Sequence, residues 1–394
     1  MKRFGWILVL LLMASPAWAA KKTTVEQLKD LLASLQQSKK SDAEVAAELK
    51  QIELTEELTR DVMNKLGSFL PGQQSLEQIY VLEAKSAVLA PPASDIPSTP
   101  APDAAAQKAI LDKATDYAAK VYGQLPSLTA TKTSLRFQDN TEHVSDSSGM
   151  NSGGVTMDPN LVSAAHFVHL INTTKTEVAF EKGAEKLPDA KDKTRWGANG
   201  YLAIQSQGPV LSAILAEAQA AGRISWLRWE TVNGKTTAVF AFVVDKKKSH
   251  YAVNYCCFPD TEQAGKLQYS MAGAGGGGAP SSLQPSASGN LQTATSFDIH
   301  FKNTIPYHGE IFVDPDTGIV VRLVTQADLK NSDLVHQEDQ RIDYGPATVG
   351  GKALVVPLKT IINTEAVPNG DTGAGKFITR RTIFTVEYKN YATQ

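Results

Sequence analysis

The chain has 394 residues, 42% of them hydrophobic and 20% charged. That is the composition of a globular protein, at a length that calls for two or more folded units. The formal charge of −2 becomes −4 when Lys2 and Arg3 are removed with the leader described next; a mildly acidic chain with no basic stripe argues against a nucleic-acid partner.

Lys2 and Arg3 precede an apolar run, Phe4–Met13, and Ala17-Trp18-Ala19 supplies the small-x-small pattern of a cleavage site. Residues 1–20 therefore read as a secretory signal peptide, cut after Ala19 or Ala20. No Cys follows the cleavage region to carry a lipid, and no later run approaches the roughly 20 apolar residues of a membrane helix. The expectation is a periplasmic or secreted protein with no transmembrane segment after cleavage.

Residues 21–89 read as a small helical domain. Val25, Leu28, Leu31, Leu32 and Leu35 fall on one helical face. Thr23 with Glu26 and Ser41 with Glu44 have capping-box spacing, and Ser75 with Gln78 repeats it after Pro71-Gly72. Residues 90–102 hold five prolines and read as a semi-rigid linker or an extended strap. Asp103–Tyr122 follows as one helix, with Ile110, Ala114 and Tyr117 on its apolar side.

From Leu128 the apolar period changes from 3.6 to 2. Thr133–Phe137 and Val178–Glu181 read as strands, Asp139–Val155 as a Ser/Gly-rich loop, and Ser163–Asn172 as either a helix or a hairpin edge. Pro209–Ala221 is a helix stopped by Gly222. Ile224–Trp229 and Thr237–Val244 form a hairpin about Asn233-Gly234, because that pair accepts the positive φ of a tight turn. His250–Cys257 is a strand, and 268–291, containing Gly275–Gly278, a flexible insertion. Ser296–Lys302 returns to strand. Tyr307–Val313 and Ile319–Thr325 form a second hairpin about Asp314-Pro315-Asp316-Thr317-Gly318. Gln340–Tyr344 and Lys352–Lys359 are joined by a turn containing Gly345-Pro346 and Gly350-Gly351, and Phe377–Tyr388 is the last strand.

In Thr237–Val244 bulky side chains point both ways: Val239, Ala241 and Val243 to one face, Phe240, Phe242 and Val244 to the other. A sheet with one wet face alternates apolar and polar residues, so both faces of this one are covered. The expected architecture is α+β: a helical domain, then residues 103–394 as a curved antiparallel sheet, a half-barrel, wrapped around the helix 209–221.

Several segments carry a resemblance: Trp226–Glu230 with Ala238–Phe242, Ser249-His250-Tyr251, Tyr255-Cys256-Cys257-Phe258-Pro259, Tyr307-His308-Gly309, Val313-Asp314-Pro315, Thr317-Gly318, and Tyr344-Gly345-Pro346 through Gly350-Gly351-Lys352. With Leu54–Leu58 and Ser86–Pro92 they resemble a family of uncharacterised exported acidobacterial proteins, over most of the mature chain. The β part is more distantly similar to the half-barrels of periplasmic lipoprotein carriers. The first likeness implies export and no particular activity; the second implies a fold only.

Candidate sites are few. Cys256-Cys257 is a disulfide candidate: neighbours on a strand point to opposite faces, so the choices are a strained vicinal bridge, intermolecular bridges or buried thiols. A metal site is not expected. His166 and His169 are three apart, and His250 and His308 each stand beside a Tyr, but no carboxylate has zinc-site spacing to them. Asp314 and Asp316 fit a turn better than a calcium loop, because the terminal Glu is missing. No nucleophile elbow, phosphate loop or catalytic Cys signature is present, so no catalytic residue and no cofactor are assigned. Trp226, Trp229, Phe240, Phe242, Tyr251 and Phe312 are candidate lining for an apolar cavity on a concave sheet face; the alternative is plain core. The expected function is a non-catalytic envelope protein that binds an apolar ligand, such as a lipid or lipoprotein, or a protein partner. An extracytoplasmic hydrolase is the alternative.

Overall fold

A computed structural model describes residues 20–138, 168–186, 202–203, 211–221, 223–256, 300–330, 333, 335–366 and 380–394. The helical part begins with β1 (Lys21–Thr23), α1 (Val25–Gln37), α2 (Asp42–Lys50), β2 (Ile52–Leu54), α3 (Arg60–Leu66) and α4 (Gln73–Ser86). The stripe foreseen in α1 closes a local core: Leu28, Leu32, Leu49, Leu58 and Ile79 are buried together. Two caps differ from the sequence reading. The α1 box is Thr24 with Gln27, one residue later than expected, because Thr23 is taken by a short parallel pairing of β1 with β2. The start of α4 has no local cap. Asp42, at the start of α2, accepts from the backbone N–H of Gln74 and Ser75 and from the Ser75 hydroxyl. One carboxylate thus satisfies orphan donors of a second helix.

The Pro-rich tract then runs as a strap. Pro91 and Pro92 are buried, Ala90 accepts from the Glu57 N–H, and the short turn Ala93–Asp95 lies against the sheet edge. It leads into α5 (Ala104–Lys120), whose N-cap Asp103 accepts from Ala106 N–H. After α5 come β3 (Leu128–Gln138), β4 (His169–Glu181), β5 (Ala184–Glu185), β6 (Leu202–Ala203), α6 (Leu211–Ala221), β7 (Ile224–Val232), β8 (Lys235–Val244), β9 (Ala252–Cys256), β10 (His300–Thr304), β11 (Tyr307–Val313), β12 (Val320–Ala327), β13 (Val335–Val349), β14 (Lys352–Ala366) and β15 (Arg380–Thr393). The loop expected at Asp139–Val155 and the insertion at 268–291 lie outside the described residues. The undecided stretch Ser163–Asn172 supplies the first part of β4.

Ten strands form one sheet in the order β5-β4-β3-β15-β14-β13-β12-β11-β8-β7, all neighbours antiparallel. A separate three-stranded sheet has the order β10-β9-β6. Both hairpins read from the sequence are present: Asn233 and Gly234 have φ of 50° and 75°, and Asp314 accepts from the N–H of Asp316 and Thr317 ahead of Gly318 at 75°. The third turn is narrower than expected. β13 runs straight through Gly345 and Pro346, which pair with Val356 and Val355, and only Gly350-Gly351 turns the chain. A register shift between Asp343 and Tyr344 precedes them, and a bulge of this kind is where a strand tolerates Pro.

The half-barrel expectation is corrected. The ten-stranded sheet is open and not strongly curled. Bulk on both faces was read as a sheet folded around one helix; it is met instead by two separate layers. On the first face α5 and α6 bury Ile110, Ala114, Ile214, Leu215 and Ala218 against Phe240 and Phe242. On the second face α4 sets Val81, Ala84 and Ala87 against Phe137, Ile361 and Ile383. A sheet covered by layers on both sides has no need to curl.

The second face also carries charge. Lys359 and Glu83 are both 0% exposed, and the Lys359 ammonium donates to both Glu83 oxygens, at 2.5 and 2.6 Å. Glu57 receives Arg341 at 2.6 Å and Arg322 at 3.0 Å. Both arginines also donate to Asp343, which they hold far below the usual carboxylate range against its burial. Removing one partner of such a pair leaves an uncompensated buried charge, whereas replacing both by apolar groups can be neutral. Glu83→Gln is therefore expected to lower unfolding stability by about 3–5 kcal/mol, seen as a fall in the urea midpoint, and Glu83→Leu with Lys359→Met to recover most of it.

Candidate functional site

Titratable side chains outside the charged layer gather on the first face, where α6 meets β9, β11 and β13. Glu217 lies on the stripe that α6 turns to the sheet, three residues after Ile214, and is almost buried. Its carboxylate accepts from the Tyr307 hydroxyl at 2.8 Å and contacts His250 Nδ1 at 2.9 Å. The His250 ring is 86% exposed, which leaves Nε2 toward solvent. Beside this group the Tyr251 hydroxyl donates to Glu338 at 2.9 Å, and the Tyr251 and Tyr307 rings meet edge to face at 5.4 Å. Two buried Tyr–Glu pairs thus stand side by side beneath one exposed histidine. Desolvation dominates the titration of the inner groups: burial pushes Glu338 up to about 7, assisted by neighbouring Asp339, and raises Tyr251 and Tyr307 well above a normal phenol.

The chemistry open to this arrangement is proton exchange at His250. A carboxylate on Nδ1 fixes the ring and leaves Nε2 to accept a proton, the posture of a general base. The adjacent hydroxyl is not a nucleophile, because Ser249 donates to the Ile305 carbonyl at 2.6 Å and accepts from Tyr251 N–H. Among the described residues no group of three or more His, Cys, Asp or Glu could hold a metal ion. A cleft of about 40 Å³, lined in part by Leu49, Ile52, Gln78, Leu82 and Val168, has room for water-sized molecules and not for a metabolite.

The six aromatics expected to line a cavity do not share one. Phe240, Phe242 and Tyr251 are 0–1% exposed within the core under α5 and α6. Phe312 is buried on the opposite face, where Arg322 lies over its ring at 5.2 Å. Trp226 and Trp229 alone are half-buried, at the β7 edge, their rings 4.8 Å apart. Cys256 ends β9 opposite His300 and Leu202, and Cys257 lies outside the described residues. His166 also lies outside them; His169 begins β4, and His308 pairs with Asp328 at 2.7 Å on the surface.

Sequence reasoning missed Glu217, Tyr307 and Glu338. The signal for Glu217 was present: an acid among Leu211, Ile214, Leu215 and Ala218 on one helical stripe. Glu338 had none, since it sits in the polar run His336–Arg341, which reads as a solvated strand. No known family, curated protein or solved structure matches the chain.

Glu338 gives a prediction about pH. Its folded pKa lies above the ordinary carboxyl value, so the unfolded chain ionises first as pH rises. The penalty is absent below about 4.5, grows to about 7 and is constant above, at roughly 3 kcal/mol. Glu338→Gln, which still accepts from Tyr251, is expected to match wild type in urea unfolding near pH 4.5 and exceed it at pH 8.

Proposed function

We propose that the protein is an exported, non-catalytic envelope protein that binds a protein partner. The observation that carries this reading is β4. Residues 173–177 are exposed on successive positions, and among the described residues no strand pairs with the outer edge of β4 before Phe180. Lys186 N–H donates to the Ala179 carbonyl at 2.7 Å, so Ala179 faces outward, and strand alternation turns Glu177, Lys175 and Thr173 the same way. Such an edge takes up an extended segment by strand addition. Core packing of Phe240, Phe242 and Tyr251 favours a protein partner over a lipid, because these rings already contact protein atoms. Lys175→Pro removes one outward donor while leaving the inner face paired. Cross-linking on intact cells, followed by mass spectrometry, is expected to capture one stoichiometric envelope protein and to lose it about tenfold in this variant. A complex indifferent to Lys175→Pro, or co-purified lipid in its place, would remove the reading.

A hydrolase is the second reading, and His250 on Glu217 favours it. It requires a hydrolytic activity in purified protein that His250→Asn abolishes without shifting the urea midpoint.

A further inference from the structure

The opposite edge of the sheet is partly covered: Ala93–Asp95 lies against β7, and Trp229 reaches the strap. β7 has a register shift between Trp226 and Arg228, with Leu227 the extra residue. Regular alternation would send residues 226 and 229 to opposite faces. The bulge puts both on one face: Trp226 pairs with Phe240 and Trp229 with Ala238, two residues of the first-face core. The two indoles meet at 73°, and Trp226 also meets Phe240 edge to face at 5.5 Å. An edge bulge that re-aims a side chain is a common device for building a binding surface.

The strap reaches this pair at Trp229. Trp229 Nε1 donates to the Pro100 carbonyl at 2.9 Å. Around that residue the strap reads Ile96-Pro97-Ser98-Thr99-Pro100-Ala101-Pro102, a PxxP segment with a further Pro two residues on. It has no regular secondary structure from Ile96 to Asp103, and Ile96, Ser98, Thr99, Pro100 and Ala101 are exposed. Proline fixes φ and removes N–H donors, so such a segment is preorganised as an extended polyproline II ligand whose carbonyls stand free. Grooves that recognise it offer aromatic faces and a donor to a prolyl carbonyl. Trp226 and Trp229 offer both.

We propose that the Trp226–Trp229 edge of β7 is a recognition surface for proline-rich extended peptide, occupied in cis by residues 96–102, and that its partner ligand is a PxxP segment of an envelope protein. The hold on the strap is light enough to exchange. Its ends are fixed by the turn at Ala93–Asp95 and by Gln107, which donates to the Pro102 carbonyl at 2.7 Å, and between them the indole bond to Pro100 is the one the described residues make. Tethering gives the strap an effective concentration in the millimolar range. A free peptide must therefore compete, and loosening the strap raises its affinity. This inference rests on the reading of a protein partner but names a different surface from β4, and a synthetic ligand tests it without that partner.

The test follows the indole N–H resonance of Trp229 in the full exported chain during titration with the synthetic peptide Ile96–Asp103. A control peptide has its three prolines replaced by alanine. Two variants accompany wild type: Pro97→Gly with Pro100→Gly, which frees the strap, and Trp229→Phe, which keeps a ring and removes the donor. The expected result is a saturable shift in wild type at millimolar peptide and about tenfold tighter binding to the strap variant. The control peptide gives no shift, and adding Trp229→Phe to the strap variant weakens binding about tenfold, followed by calorimetry. If the strap variant fails to fold, the wild-type titration decides alone. No shift in wild type or the strap variant at millimolar peptide overturns the proposal, as does binding that ignores Trp229→Phe. A peptide that binds while no envelope protein cross-links removes the partner reading and leaves this surface standing; the reverse outcome removes the surface alone.

Discussion

Each buried charge of the second face must find its partner, and the rest of the fold is constrained by that need. Arg341 and Lys359 are fully buried, and Arg322 nearly so, on strands at the centre of the ten-stranded sheet. The sheet's own Asp343 balances one of these cations; Glu57 and Glu83, delivered by the helical part, balance the others. Water cannot serve in their place once the layer closes, so the helical part and the sheet are obliged to dock together. Val81, Ala84 and Ala87 supply the apolar contact around these bonds, and the geometry of the charges fixes its register.

That obligation shapes the rest of the chain. Glu57 reaches Arg341 across 284 residues of sequence, and Glu83 reaches Lys359 across 276. Closing loops of that length costs chain entropy, though the cost grows only slowly with length. With the second face given to the helical part, the first face must be closed by α5 and α6. The strap joins the two layers around the β7 edge, and it has to cross from the end of α4 to the start of α5 in the 17 positions between Ser86 and Ala104. An extended Pro-rich segment spans that path at low entropic cost.

The two sheet edges are managed differently. At β7 a bulge breaks the strand, and the strap meets it at the Ala93–Asp95 turn and at Trp229. At β4, among the described residues, the protection is Lys175, Glu177 and the neighbouring threonines, which is modest for a thirteen-residue strand. The His250–Glu217 pair is a different resource: an exposed imidazole on a buried carboxylate, with the adjacent Ser249 hydroxyl already engaged by the Ile305 carbonyl.

Much was legible in the sequence where the deciding atoms are close along the chain. The Ser41 box, the Asn233-Gly234 turn and the Asp314 turn each need a few neighbouring residues, and each stands as read. The stripes of α1 and α6 and the alternation of β8 announced which faces are apolar, since burial follows periodicity. The site itself was almost silent. Glu338 and Arg341 look like solvated strand residues until the layers that cover them are in place, and Asp42 looks like an ordinary helix start until α4 arrives beside it. Pro346 reads as a turn until the bulge before it lets β13 continue. Trp226 and Trp229 stand three apart, a spacing that regular alternation sends to opposite faces, and only the bulge between them puts both on one. The sequence by itself determined periods, turns and local caps, because backbone geometry and nearest-neighbour hydrogen bonds act within a few residues. Only the tertiary structure decided which charges are buried, which face each layer covers and what reaches the tryptophan pair, because desolvation and pairing depend on groups brought together from hundreds of residues apart.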